Sequence, residues 1–177
     1  MSTAASRPRS SIGPVVVMGV SGSGKSLIGG AMAAELGVPF IEGDRLHPPA
    51  NVAKMSSGLP LTDDERWPWL DRVGEDLRAA AAAGEGAVAA CSALKRSYRD
   101  RLRAAVGPSL RFVFLRGGRA TLAERLTARK HHFMPASLLD SQLATLEDPA
   151  SEPGVCTVDV EATPEAIVAA AVAWLTG

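Results

Sequence analysis

The amino-acid sequence predicts an α/β protein in which a parallel sheet is covered by helices on both faces. Short, largely apolar runs alternate with longer helical stretches along the chain. Strands of a parallel sheet buried on both faces have this near-continuous apolar character, and helices connect them. The length of 177 residues fits one compact domain, which we place at residues 14–177.

The first part of the chain predicts a tail followed by two strands and a helix. Residues 1–13 are small, polar and basic, which indicates a disordered tail. Residues 14–18 form a β-branched run typical of a buried strand. After a Gly/Ser turn, residues 25–36 predict a helix that Gly37 ends. Residues 38–41 predict the second strand.

The middle of the chain predicts one more strand between two helices. Residues 47–60 are a polar, Pro-rich segment. Residues 63–83 predict a long helix, and the alanine run at 79–83 consists of strong helix formers. The glycines within residues 84–86 break this pattern. A third strand is predicted at 87–91 and a helix at 95–106.

The last part of the chain completes the alternation. Residues 110–115 predict a fourth strand. Residues 119–130 and 137–147 predict two helices that flank a short loop rich in His, Phe, Met and Pro. Residues 155–160 predict the fifth strand, and residues 164–175 the closing helix.

Charge and composition argue for a soluble protein that acts on a small ligand. The formal net charge is zero, which gives no reason to expect nucleic acid or membrane as a partner. The apolar run at 166–175 is too short to span a bilayer, and the N-terminus lacks the apolar core of a signal peptide. Two distant cysteines, Cys91 and Cys156, define no disulfide framework. We therefore expect a cytoplasmic protein.

A phosphate-binding loop is predicted between the first strand and the first helix. The segment matches the pattern G-x-x-x-x-G-K-[ST]. Its glycines let backbone N–H groups point at phosphate oxygens, and the helix N-terminus adds a positive end. Lys25 can reach the β- and γ-phosphates, and the Ser26 hydroxyl can bind Mg²⁺. The predicted ATP-binding residues of this loop are Gly19, Val20, Ser21, Gly22, Ser23, Gly24, Lys25 and Ser26.

The second strand ends in an acidic segment that predicts an acceptor site. Asp44 follows that strand, at the edge of the sheet where α/β proteins bind ligands. Asp44 can orient or deprotonate an acceptor hydroxyl, or it can cap the next helix. His47 is a ligand or a surface histidine. Several basic residues can bind a carboxylate or be solvated. They are Lys54, Arg66, Lys95, Arg96 and Arg99.

Together these segments resemble the gluconokinases of the P-loop, nucleoside-monophosphate-kinase-like group. The resemblance covers about residues 14–160 in family order. Its most specific segments are Gly-Asp-x-x-His-Pro at 43–48, Asp-x-x-Arg-x-Pro-Trp-Leu at 63–70 and Cys-Ser-Ala-Leu-Lys at 91–95. Further segments are Asn-Val-Ala-Lys-Met at 51–55, Tyr-Arg-Asp at 98–100, Arg-Lys-His-His-Phe-Met at 129–134, Ser-Gln at 141–142 and Leu-Glu at 146–147.

The resemblance implies a three-layer P-loop fold and a sugar-acid kinase. Its sheet would have five parallel strands in the order 2-3-1-4-5, with a small mobile lid at about residues 119–147. The reaction would be phosphorylation of D-gluconate at its 6-hydroxyl by ATP with Mg²⁺, commonly by a homodimer. A kinase for shikimate, a nucleotide or another sugar acid, and a nucleotide-binding regulatory module, are the alternatives.

The resemblance also implies roles for individual residues. Asp44 would orient or deprotonate the acceptor hydroxyl, and Arg66 is the first choice for the carboxylate. Arg125 would bind ATP, and Arg129, four residues on, would reach the transferring phosphoryl group as the lid closes. The implied sugar-acid pocket consists of Asp44, His47, Lys54, Arg66, Ser92, Lys95 and His132.

Two positions depart from the family pattern. Glu42 stands where an aspartate is often found, and the third strand ends in Cys91 and Ser92 without the usual Walker B aspartate. Mg²⁺ would therefore depend on Ser26, the phosphates, water and Asp44. We expect Cys91 to be a small buried hydrophobic residue.

Overall fold

The structure, a computed structural model, describes residues 12–129 and 135–177. Its centre is a sheet of five strands with the order β2-β3-β1-β4-β5, in which every neighbouring pair is parallel. The predicted fold class and strand order are confirmed. The strands are β1 (Pro14–Met18), β2 (Phe40–Glu42), β3 (Ala87–Ala90), β4 (Arg111–Arg116) and β5 (Val155–Asp159).

Helices surround the sheet and account for the alternation seen in the sequence. They are α1 (Lys25–Leu36), α2 (Pro49–Ser56), α3 (Asp63–Ala82), α4 (Arg96–Val106), α5 (Arg119–Ala128), α6 (Ala136–Thr145) and α7 (Pro164–Thr176). A short 3-10 turn, Gly43–Leu46, directly follows β2. Each predicted helix exists, with ends that differ from the prediction by at most two residues.

The core consists of two apolar layers, one on each face of the sheet. Val16 and Met18 of β1 pack into the layer beneath α3 and α4, whereas Val15 and Val17 pack into the layer beneath α1 and α7. Side chains along a strand alternate between faces, so a strand buried on both sides needs no polar position. Burying one such side chain contributes about 1.5–3 kcal/mol.

The segment between β2 and α3 is more ordered than the sequence predicts. The Pro-rich segment at 47–60 contains helix α2, which the sequence analysis missed. Pro49 lies in its first turn, where the missing N–H costs nothing and the fixed φ favours the helix. The proline therefore begins a helix in a segment to which the sequence analysis assigned none.

Residues 12 and 13, which the sequence analysis assigned to the N-terminal tail, belong to the described part of the chain. Ile12 packs against the core layer beneath α1 and α7, and its carbonyl accepts a hydrogen bond from Arg111. Residues 1–11 lie outside the described residues. No helix in the described part of the chain is long and apolar enough to cross a membrane.

The fold brings the C-terminal ends of three neighbouring strands together. Residues 19–24 follow β1, the 3-10 turn follows β2, and Cys91 and Ser92 follow β3. The Gly19 N–H donates to the Ser92 carbonyl over 3.3 Å. A Cβ atom at Gly43 would overlap the Ala90 carbonyl oxygen, so only glycine permits this close approach. The predicted phosphate loop and acceptor segment therefore meet at one edge.

Candidate active site

The loop after β1 has the backbone shape of an anion site. Gly22 and Gly24 have φ angles of 84° and 91°, which other residues rarely adopt. Gly24 is the N-cap of α1, and no side chain caps this end. The first N–H groups of α1 therefore face the loop, where the helix dipole favours a negative group.

Lys25, the first residue of α1, is partly buried where the loop ends. Its Nζ donates to the Val20 carbonyl oxygen over 3.1 Å. Loss of water around the ammonium lowers its pKa below the ordinary value, and the Asp44 carboxylate opposes that shift. An anion placed here would offset the cost of burying the charge.

A cavity of about 490 Å³, here called the loop cleft, runs along the loop. It is lined by Lys25, Ser26, Glu42, Asp44 and Arg129, among others. Of the predicted ATP-binding residues, Ser21, Gly22 and Gly24 also line it. Val20 is buried, and its carbonyl oxygen accepts a hydrogen bond from Lys25. The Gly19 N–H donates to the Ser92 carbonyl and so connects the loop to the segment after β3.

A further cavity of about 350 Å³ extends from the loop towards the start of α7. Ser23, Arg125 and Arg129 line it together with the apolar side chains of Pro164 and Ile167. The Arg125 guanidinium donates to the Val160 carbonyl over 2.5 Å, which fixes it at this wall. This wall offers a flat apolar group a place beside the phosphate loop.

On the other side of Lys25 lies a cavity of about 370 Å³, here called the His47 cavity. Asp44, His47, Arg66 and Ser92, all predicted to bind substrate, line it together. Asp44 is exposed to this space and does not cap α2, whose N-cap is Pro48. Ser21, Lys25, Asp44 and Arg45 line both this cavity and the loop cleft, so the two spaces meet there.

His47 is held flat against Trp69. The two rings stack with centroids 4.0 Å apart, and the Trp69 indole N–H donates to the Gly43 carbonyl over 2.8 Å. Burial lowers the pKa of His47 to about 4, so the ring is neutral at pH 7. The buried Nδ1 has no hydrogen-bond partner among the described residues. A neutral imidazole with one unsatisfied nitrogen suits a polar ligand.

Of the basic residues predicted to bind a carboxylate, Arg66 is the one that lines the His47 cavity. It is 8% exposed, and its Nε donates to the Leu61 carbonyl over 3.4 Å. Its guanidinium lies 5.5 Å from the centre of the Tyr98 ring. The remaining guanidinium donors suit a carboxylate, which accepts two parallel hydrogen bonds from arginine.

The other predicted basic residues are engaged elsewhere. Lys54 pairs with Glu65 at 2.9 Å and Lys95 with Asp63 at 3.0 Å, and neither lines the His47 cavity. Arg99 is fully buried and pairs with Glu152. Lys54 and Lys95 stay predictions as substrate ligands. His132 lies outside the described residues.

The oxygen atoms beside the loop fit a small hard cation. Ser26, Glu42 and Asp44 line the loop cleft together. Mg²⁺ needs few protein ligands, because phosphate oxygens and water complete its shell. Within residues 12–129 and 135–177 no group of three or more His, Cys, Asp or Glu side chains is arranged to hold a metal ion by itself. Burial raises the pKa of Cys91 to about 12, so this residue stays a neutral thiol, as expected of a buried hydrophobic residue.

Sequence reasoning missed Gln142. Its Oε1 accepts hydrogen bonds from the Ser21 backbone N–H over 2.8 Å and from the Ser21 hydroxyl over 3.1 Å. Gln142 lies on α6 and also lines the His47 cavity. The one signal was its place in the Ser-Gln segment at 141–142, which was assigned no role.

Comparisons with known proteins agree with this geometry. A sequence family described as "AAA domain" matches residues 15–149. A gluconokinase from Gluconobacter oxydans (strain 621H) is 53% identical over 154 residues, which cover 87% of this chain and 86% of that protein.

Two solved structures are similar over nearly the whole chain. One is a crystal structure of a gluconokinase from Sinorhizobium meliloti 1021, with 56% identity and a TM-score of 0.86. The match covers 93% of this chain and 91% of that one. The other is an unliganded sugar kinase from Janibacter sp. HTCC2649, with 47% identity, a TM-score of 0.87 and coverage of 93% and 94%.

Proposed function

Because the chain belongs to the gluconokinase family, we propose that it phosphorylates D-gluconate at the 6-hydroxyl with ATP, giving 6-phospho-D-gluconate and ADP. The observation that carries this proposal is the meeting of the loop cleft and the His47 cavity at Lys25 and Asp44. A phosphate donor in the first space and an acceptor in the second would react across this boundary. Positioning of this kind supplies much of the rate in phosphoryl transfer.

Asp44 is the residue that would act on the acceptor. The 6-hydroxyl donates its hydrogen bond to the Asp44 carboxylate and presents its oxygen to the γ-phosphorus. As the new O–P bond forms, the bond from the γ-phosphorus to the bridging oxygen breaks and ADP leaves. The hydroxyl proton passes to Asp44. Lys25 neutralises charge on the phosphoryl oxygens throughout.

Arg66, His47 and Ser92 would bind the rest of the sugar acid. The buried guanidinium of Arg66 is the carboxylate ligand, because its planar donors match that group. The neutral His47 ring and the Ser92 hydroxyl can each exchange hydrogen bonds with the polyol chain. Lys54 and Lys95 are second choices, since both are held in ion pairs.

The nucleotide would occupy the loop cleft, with its base towards Pro164 and Ile167. Mg²⁺ would be held by Ser26, with Asp44 and Glu42 within the same cleft. When bound, Mg²⁺ neutralises charge on the β- and γ-phosphate oxygens. Ser26, Asp44 and Glu42 are the side chains of this cleft that would hold it.

A lid at about residues 119–147 is also part of the proposal. Arg125 and Arg129 line the cavity beside the loop, and α5 and α6 flank the segment that contains His132. Closure of this segment would exclude water and bring Arg129 to the phosphoryl group. A homodimer, a cytoplasmic location and the absence of nucleic-acid and membrane partners stay predictions.

An acceptor panel tests the proposed function. ADP release is measured with ATP and Mg²⁺ in the presence of D-gluconate, shikimate or a nucleoside monophosphate, with Lys25→Met as the control. We expect turnover to depend on gluconate and the product to carry phosphate on its 6-oxygen by NMR. Faster turnover with shikimate or a nucleotide would assign a different acceptor. If turnover depended on none of the acceptors, the proposed kinase activity would be refuted.

A further inference from the structure

Gln142 joins helix α6 to the phosphate loop across 121 positions of sequence. Its side-chain oxygen lies 2.8 Å from the Ser21 backbone nitrogen and 3.1 Å from the Ser21 hydroxyl. Two short contacts to one residue fix the end of this side chain. Gln142 is also part of the wall of the His47 cavity, where Lys25 and Asp44 mark the boundary with the loop cleft.

The orientation of the Gln142 amide follows from its partner. A backbone N–H can only donate, so the amide oxygen must face Ser21. The amide nitrogen then faces away from Ser21, and its two N–H groups can only donate. A donor is thus held on the wall of the cavity to which Asp44 contributes an acceptor.

This pair of groups is complementary to an alcohol. A hydroxyl has one proton to donate and two lone pairs to offer. Asp44 takes the hydrogen bond from the proton, Gln142 donates to one lone pair, and the second lone pair stays free to attack phosphorus. A carboxylate alone fixes only the proton side of the hydroxyl.

We propose that Gln142 binds the reacting hydroxyl of the acceptor, with its Oε1 on Ser21 and its Nε2 donating to the hydroxyl oxygen. The proposal rests on the proposed function, since it names a second ligand of the same 6-hydroxyl. The loop that grips the phosphates also holds Gln142. The hydroxyl is therefore positioned relative to the phosphate loop itself, and its placement does not depend on the carboxylate end of the substrate.

Two ligands distinguish binding of the 6-hydroxyl by Gln142 from a purely structural role, in which Gln142 only holds α6 against the phosphate loop. D-Gluconate carries the reacting hydroxyl, and 6-deoxygluconate lacks it but keeps the carboxylate and the other hydroxyls. If Gln142 binds the 6-hydroxyl, its loss weakens only the first ligand. If it merely holds the loop, both ligands respond alike.

The test uses two variants with different losses. Gln142→Met keeps the length of the side chain but removes both hydrogen-bonding groups, whereas Gln142→Glu keeps an acceptor for Ser21 and cannot donate when ionised. Asp140→Asn is the control, because Asp140 lies on the same helix in an exposed ion pair with Arg119. Thermal unfolding checks that each variant folds.

We expect both Gln142 variants to lower kcat/KM for gluconate about tenfold or more, as for the loss of a hydrogen bond to a reacting group. The inhibition constant of 6-deoxygluconate should change less than about threefold, and Asp140→Asn should match the wild type. Equal weakening of both ligands, or a wild-type kcat/KM in Gln142→Glu, would overturn the role of Gln142. Gluconate turnover by the wild type would still support the proposed function in that case. A wild type without gluconate turnover would refute both.

Discussion

The imidazole of His47 stacks on the indole of Trp69 with the two ring planes 16° apart. Trp69 is 1% exposed, so the stacking partner removes His47 from water on one side. Burial is the largest cause of the low pKa of His47; Asp44 opposes it and Arg66 adds to it. The ring therefore resists protonation in the folded protein.

This stacking predicts a specific loss of stability in acid. The pKa of His47 is about 4 when folded and about 6.5 when unfolded, so the unfolded chain binds more protons between these values. Stability is full above pH 6.5 and falls as the pH drops towards 4. The contribution is at most about 3 kcal/mol. Urea unfolding at pH 7 and pH 4.5 should show a smaller drop for His47→Gln than for the wild type, and equal drops would contradict the assigned burial.

We expect a single methyl group added at Gly43 to reduce turnover severely. In Gly43→Ala the new Cβ would overlap the Ala90 carbonyl oxygen, so the turn that carries Asp44 must move. Since a displacement of about 1 Å can cost 100-fold in rate, we expect kcat to fall at least that far.

The matched control for Gly43 is Gly30. A Cβ at Gly30 meets nothing within 4 Å, and the position lies inside α1. Gly30→Ala should raise the free energy of unfolding by about 0.5–1 kcal/mol, with kcat unchanged. Near-normal kcat in Gly43→Ala would show that the turn tolerates the displacement.

Arg99 is predicted to be structural. Its guanidinium donates to the carbonyls of Ala93, Leu94 and Glu147 and pairs with Glu152 at 2.5 Å. The Arg99 side chain itself has no exposure to water. Arg99→Met should lower the free energy of unfolding by about 3–5 kcal/mol, because it leaves a buried carboxylate and carbonyls without this donor.

An exposed pair provides the comparison for Arg99. Arg101 pairs with Asp71 at 2.6 Å, with both side chains more than 40% exposed. Arg101→Met should cost about 0–1 kcal/mol in the same urea titration. Equal losses in the two variants would contradict the distinction between a buried and a solvated pair.

Arg66 is predicted to set the affinity for the carboxylate. Arg66→Met should raise the KM for gluconate about 100-fold, since a buried charge-assisted pair is lost, with a smaller effect on the KM for ATP. Arg72→Met on the exposed side of α3 is the control. If Lys54→Met or Lys95→Met raised the KM for gluconate more than Arg66→Met did, the carboxylate site would lie with that lysine.

The fold was largely predictable because its signals are local. The apolar run of β1, the glycine loop and α1 are contiguous, and the phosphate-loop motif marks the junction between the strand and the helix. The bounds of β2 were less clear: it was predicted at 38–41 and observed at Phe40–Glu42. Helix α2 was missed because prolines usually interrupt helices, and only position in the first turn reverses that effect.

The sequence indicated which site residues lie together only where those residues directly follow a strand. Asp44 and Ser92 follow neighbouring strands, so the sheet brings them together. Lys54 and Lys95 could not be separated from Arg66 by sequence, because their partners Glu65 and Asp63 become visible only in three dimensions. The contact between Ser21 and Gln142 spans 121 positions, and no local pattern indicates it.

The most direct test of the central claim is kcat for Asp44→Asn with saturating gluconate, ATP and Mg²⁺, measured beside the KM for ATP. Asparagine keeps the shape of the side chain but accepts a proton poorly. We expect kcat to fall about 100-fold or more, as for the loss of general-base catalysis, with the KM for ATP within about threefold of the wild type. A kcat close to that of the wild type would contradict the account, because the acceptor hydroxyl would then not depend on the carboxylate at the end of β2.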